Sequence, residues 1–134
     1  MLAEALSCAC MLGLTETARF LLDKGRVNPY AGMKTWLAGP HGAASGGQLE
    51  TIRILIAKGV PLEVENLYGG TVLGQAIWSA INEHTPDHAA IVEALIEAGA
   101  VVEQGYLAWW NEQPVPSPET KRRVAGALRR KGVE

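Results

Sequence analysis

Histidines, two cysteines and a run of cations are the residues in this chain whose types and spacing could do chemistry. His84 and His88 stand four apart, a spacing that puts two metal ligands on one helix face. Pro86 lies between them, however, and HTPDH (84–88) reads as a helix start, with Thr85 as N-cap, Pro86 in the first turn and Asp87 near the positive end of the helix dipole. Two imidazoles do not complete a tetrahedral site, so no metal is expected. Cys8 and Cys10 are two apart, and helical side chains at that spacing diverge. Both are expected as reduced thiols packed in a core, outside any disulfide framework. No serine or cysteine lies in a nucleophile motif, and GGQLE (46–50) and GGT (69–71) lack the spacing and the lysine of a phosphate loop. The expectation is a protein that is not an enzyme and carries no cofactor.

The cations gather at one end. Residues 117–134 hold Lys121, Arg122, Arg123, Arg129, Arg130 and Lys131 against Glu119 and Glu134, a local charge of +4 that leaves −6 on the rest of the chain. Such a helix could meet nucleic acid or an acidic protein surface. Six cations make a small footprint, and cations near a helix C-terminus also offset its dipole, so a solvated outer face is the expected role.

These residues must be positioned by one compact unit, since 134 residues suffice for a single core but not for two. A composition 48% hydrophobic and 19% charged belongs to a folded chain rather than a disordered one. No apolar run approaches the roughly 18 residues that cross a bilayer, and MLAEALSCACMLG lacks the basic start and cleavage site of a secretory signal. A cytoplasmic location is the expectation.

A repeat sets the organisation. ETARFLLDKG, ETIRILIAKG, AIVEALIEAG and RVAGALRRKG align without gaps and end at Gly25, Gly59, Gly99 and Gly132, at spacings of 34, 40 and 33. Leu21, Leu55, Leu95 and Leu128 each stand four residues before the glycine, and the glycines read as left-handed helix stops. Upstream of these segments lie further candidate helices, LAEALSCACML (2–12), GPHGAASG (39–46) and TVLGQAIWSAIN (71–82). RVNPYAGMKTW (26–36) and VPLEVENLYGG (60–70) carry Pro, Gly and Asn where a helix could not continue, so extended turns should join the hairpins. In the last copy the position of Leu22, Ile56 and Ile96 becomes Arg129, the mark of a polar cap that ends a stack.

These features resemble the ankyrin-repeat family, whose unit is a turn followed by two antiparallel helices. HGAASGGQLETIRILIAKGVPLE (41–63) is similar to the family's core pattern, with His41 at the motif histidine, Ala43 and Ala44 at the small pair and Gly47 at the turn between helices. The third unit keeps Thr71 and Leu73 but replaces the histidine by Gly74, and carries about six extra residues near INEHTPDHA (81–89). The resemblance implies a mainly α fold: a solenoid of helix-turn-helix units linked by β-hairpin-like finger turns. One domain over 1–134 would comprise units at about 2–28, 33–63 and 66–103, with a C-terminal cap at 104–134. His41 would be a framework residue tying the turn together by hydrogen bonds.

The resemblance also implies a function: a scaffold or adaptor that binds a partner protein through its concave face and finger tips. Carried over position by position, the contact residues are Tyr30, Lys34 and Trp36 on the first finger, Glu65, Asn66, Leu67 and Tyr68 on the second, and Ser45, Trp78 and Ser79 on the helices. Tyrosine and tryptophan suit such places because they offer large contact area at low entropic cost. Adjacent Trp109 and Trp110 cannot both point inward on one helix, so at least one of them should be partly exposed or cover the cap. The alternatives are self-association through an N-terminal helix exposing Leu2 and Leu6, which would make a homodimer, and nucleic-acid or acidic-partner binding by the basic helix.

Overall fold

The computed structural model describes residues 2–30, 39–66, 69–82 and 86–131. Its described residues are mainly helical, with no strand among them. Eight helices follow in order: α1 (Leu2–Leu12), α2 (Thr15–Asp23), α3 (Pro40–Ser45), α4 (Leu49–Ala57), α5 (Val72–Asn82), α6 (Pro86–Glu97), α7 (Tyr106–Glu112) and α8 (Pro118–Arg129). Consecutive helices pack as hairpins, α1 with α2, α3 with α4, α5 with α6 and α7 with α8. Hairpin then stacks on hairpin: α1 on α3 and α3 on α5 in one layer, α2 on α4, α4 on α6 and α6 on α8 in the other.

The apolar positions that recur along the chain make the core. Leu21, Leu55, Leu95 and Leu128 are all buried, as are Ala18, Ile52, Val92 and Ala125 three residues before each of them. A lone hairpin cannot hide such a face from water, so each is stabilised by its neighbours. Position by position, burial reports where a neighbour stands. Phe20 is 61% exposed, Ile54 and Ala94 are half-buried, and Ala127 is buried, so burial at this position rises along the stack.

Helix ends follow glycine chemistry in two of the expected places. Gly59 and Gly99 take φ of 72° and 101°, and the next residues donate back into the helix, Val60 N to Leu55 O and Ala100 N to Leu95 O. The first unit differs from expectation: Gly25 is not left-handed, and Arg26 takes φ 50° instead. One extra residue enters the turn, so the returning bond is Val27 N to Leu21 O. Gly25 is still required, because a Cβ there would stand 2.9 Å from Leu21 O. Gly132 lies outside the described residues.

His41 is buried at the start of α3, where its Nε2 pairs with Gly70 O at 2.8 Å and its ring meets Tyr30 edge-on at 5.9 Å between centroids. The imidazole thus joins its own unit to both flanking turns. Cys10 is fully buried, and burial pushes its thiol up to about 12. Cys8 corrects the expectation of two core cysteines: it is exposed, because its α1 position points away from the next hairpin.

Leu6 corrects a second expectation. It is 1% exposed and part of the core, so it cannot form an open N-terminal patch. Among the described residues of the first hairpin, the large exposed apolar side chains are Leu12, Leu14 and Phe20. Among the described residues no helix is long and apolar enough to cross a membrane.

Candidate functional site

The described contact residues divide by what already holds them. Tyr30 is half-buried, and its hydroxyl donates to Pro61 O. Burial, and then the Glu63 carboxylate, push its phenol up to about 12. Asn66 builds its own turn, accepting from Gly70 N through Oδ1 at 2.9 Å while its backbone pairs with Gly69 and Gly70. The Ser45 carbonyl pairs with His88 Nε2 at 3.3 Å. Ser79 is buried rather than open, and accepts from Gln75 Nε2 at 3.1 Å, because its α5 position turns inward. Glu65 is exposed, while Lys34, Trp36, Leu67, Tyr68 and the metal candidate His84 lie outside the described residues. Thr85 does too, although Pro86 opens α6 as its type predicts.

Trp78 remains, and it is 56% exposed on α5. Beside it the structure places residues that the sequence reading did not count as contacts. Gly74, Ile77, Trp78, Tyr106 and Trp109 line an apolar cavity of about 280 Å³ between α5 and α7. Trp109 is 38% exposed, whereas Trp110 is fully buried, its Nε1–H donating to Lys121 O at 3.0 Å. The pair therefore splits, one indole to the core and one to the cavity.

Local structure fixes these walls. Gly105 takes φ 92° and starts α7, which puts Tyr106 in its first turn and Trp109 one turn on. The end of α7 is held by Lys121, whose Nζ donates to the carbonyls of Trp110 at 2.8 Å, Asn111 at 3.0 Å and Gln113, and sits 5.7 Å from the Trp110 ring centroid. Lys121 is itself fixed on α8, which begins at Ser117, whose hydroxyl accepts from Thr120 N at 3.2 Å, with Pro118 next. That Ser-Pro-Glu-Thr start was a readable signal, and so was the aromatic content of YLAWW (106–110). What the sequence did not show is that α5 and α7 bring the two clusters together.

Two of the six C-terminal cations are also engaged. Lys121 holds the α7 carbonyls, and Arg123 pairs with Glu93 at 2.5 Å, a bond that raises the Arg123 pKa. Arg122, Arg129, Arg130 and Lys131 are exposed. Among the described residues there is no group of three or more potential metal ligands.

The fold defines the class: a mainly helical chain of stacked hairpins with an open aromatic cavity. No family model matches the chain, and no curated protein does either. Its fold is similar to that of a solved chain in the complex of the Bd0816 predatory endopeptidase from Bdellovibrio bacteriovorus with immunity protein Bd3460, at a TM-score of 0.72 and 24% identity. The match covers 95% of this chain and 63% of the other, so this chain spans less than two thirds of that chain's length.

Proposed function

We propose that the chain is an ankyrin-type solenoid that works as a non-enzymatic protein-binding module. The observation that carries this reading is the pair of exposed indoles, Trp78 and Trp109, at the mouth of one apolar cavity. A large aromatic left in water is costly unless something covers it, and tryptophan is enriched among interface hot spots. The helix packing means the surface is preformed, so binding would bring little backbone change. The likeness to a chain from a two-protein complex supports the same reading.

The test is affinity capture from the source lysate with the parent chain and with Trp78→Ala, each first shown by thermal melting to fold alike. A protein kept by the parent and lost by the mutant is the expected result. Equal retention by both would put the binding face elsewhere.

Self-association is the second reading, favoured by Leu12, Leu14 and Phe20 in the first hairpin, exposed by 66%, 51% and 61%. Light scattering over a range of concentrations separates the two. A mass that rises with concentration and falls back in Phe20→Ser favours the dimer, and a constant monomer removes it.

A further inference from the structure

We infer that the cavity walled by Trp78, Tyr106 and Trp109 receives the cationic side chain of a lysine or arginine from a partner protein. The inference rests on the proposed protein-binding role and specifies its chemistry.

Size is the first argument. A cavity of about 280 Å³ falls at or below the low end of the range for small-molecule sites, roughly 300–1,000 Å³, and suits one inserted side chain better than a cofactor. Wall chemistry is the second. Among the described lining residues three are aromatic and the others are Gly74 and Ile77, so the one side-chain hydroxyl among them is that of Tyr106. A long side chain can lay its methylene stem along such walls and present its charge to the ring faces.

The surrounding charge supplies the sign. Burial first, then the Glu103 carboxylate and more weakly that of Glu63, push the Tyr106 pKa up against a hydrogen bond with Thr71 that lowers it, so two carboxylates act on this wall. Among the described residues no cation lines the cavity. The chain outside residues 117–134 carries −6, which would draw a basic segment toward that part of the molecule, although α8, packed on α7, carries the cations. The same unit already places an ammonium on an indole, Lys121 over Trp110.

Gly74 is what leaves the cavity open. In the preceding unit the equivalent position is His41, whose ring meets Tyr30 edge-on and pairs with Gly70 O. A Cβ on Gly74 would stand 3.6 Å from both Tyr106 Oη and Thr71 Oγ1, so a larger side chain there would crowd the Tyr106 wall. The absence of a side chain at Gly74 thus leaves room beside Tyr106 for a partner's side chain.

The experiment titrates the 15N-labelled chain with N-acetyl-arginine amide, and separately with the neutral N-acetyl-norleucine amide, following the indole N–H signals of the tryptophans. Shifts of Trp78 and Trp109 but not Trp110, with the cationic probe bound about two- to fivefold more tightly than the neutral one, are expected. Glu103→Gln should reduce that preference without altering the walls, and Gly74→His should abolish binding while the melt stays cooperative. Equal or tighter binding of the neutral probe would overturn the inference. So would silence toward both probes; if Trp78→Ala nonetheless lost the captured protein, the binding face would stand and only its cationic occupant would fall.

Discussion

His88 and Gly47 meet across two successive hairpins: a Cβ on Gly47 would stand 2.7 Å from His88 Cε1, and His88 Nε2 pairs with Ser45 O at 3.3 Å. The relationship repeats one unit earlier. A Cβ on Gly13 would stand 2.2 Å from Gln48 Oε1, and Gln48 Nε2 donates to Met11 O at 3.0 Å. Gln48 and His88 each stand eleven residues before a helix-ending glycine, so one position in the repeat reaches back to the end of the previous unit's first helix. Each bond satisfies a carbonyl that the helix end would leave without a partner.

Gly47→Ala tests that lock. Gly47 and Gly59 share a φ of 72°, but a Cβ on Gly59 meets nothing within 4 Å. Gly59→Ala should therefore cost only the left-handed backbone penalty, about 1–2 kcal/mol. Gly47→Ala should lose roughly 1–3 kcal/mol more from the collision with His88. Adding His88→Ala to Gly47→Ala should recover part of that excess, a non-additivity read by urea denaturation. Equal losses at both glycines would mean the His88 ring moves aside freely.

Arg26→Gly should stabilise the chain by about 1 kcal/mol, because it removes a side chain from a φ of 50°, where Gly59 and Gly99 stop the next two units with glycine. Gly25→Ala should act in the opposite sense, since its Cβ would press on Leu21 O. Paired melting curves of the two variants would check both directions.

Much of the fold could be read from local pattern. The leucines at Leu21, Leu55, Leu95 and Leu128 are buried, and α1 and α5 begin and end within a residue of the expected bounds. These features depend on helix period and glycine stops, which are properties of short segments. The site was less legible because it depends on which helices become neighbours. Ser79 and Trp78 are adjacent in sequence, yet one turns into the core and the other into water. Tyr106 stands at a unit boundary where the repeat pattern fades, and nothing in its flanking residues announces that it will stand beside Gly74. Leu6 and Cys8 misled for the same reason, since the side of α1 that is covered is set by where α3 packs.

Alkaline pH should weaken the fold before it touches most other groups. Cys10 and Tyr30 hold their protons up to about 12 when folded, against ordinary values of 9.0 and 10.0 that the unfolded chain would show. Both therefore add stability that is whole below those ordinary values and drains away as pH rises toward 12. Cys10→Ala should flatten the part of the decline that begins near pH 9, in denaturation series taken from pH 8 to 12.

The same contrast predicts thiol reactivity. Cys8 is exposed, so a disulfide reagent should label it promptly in the native protein, whereas Cys10 should react only as fast as the chain opens. Two fast thiols per chain would show that α1 opens locally.

The ion pair between Arg123 and Glu93 ties α8 to α6, with side chains 23% and 30% exposed. Arg53 and Glu50 form a pair within one helix at 58% and 70% exposure. Water and salt screen the second far more than the first, so double-mutant cycles to alanine should give a coupling of roughly 1 kcal/mol for Arg123–Glu93 and about 0.3–0.5 kcal/mol for Arg53–Glu50. Raising the salt should erode the Arg53–Glu50 coupling more than the Arg123–Glu93 coupling. If both couplings were equal and equally salt-sensitive, the Arg123–Glu93 pair would add nothing beyond an exposed pair, and α8 would be held by its buried face and by the Lys121 bonds to α7.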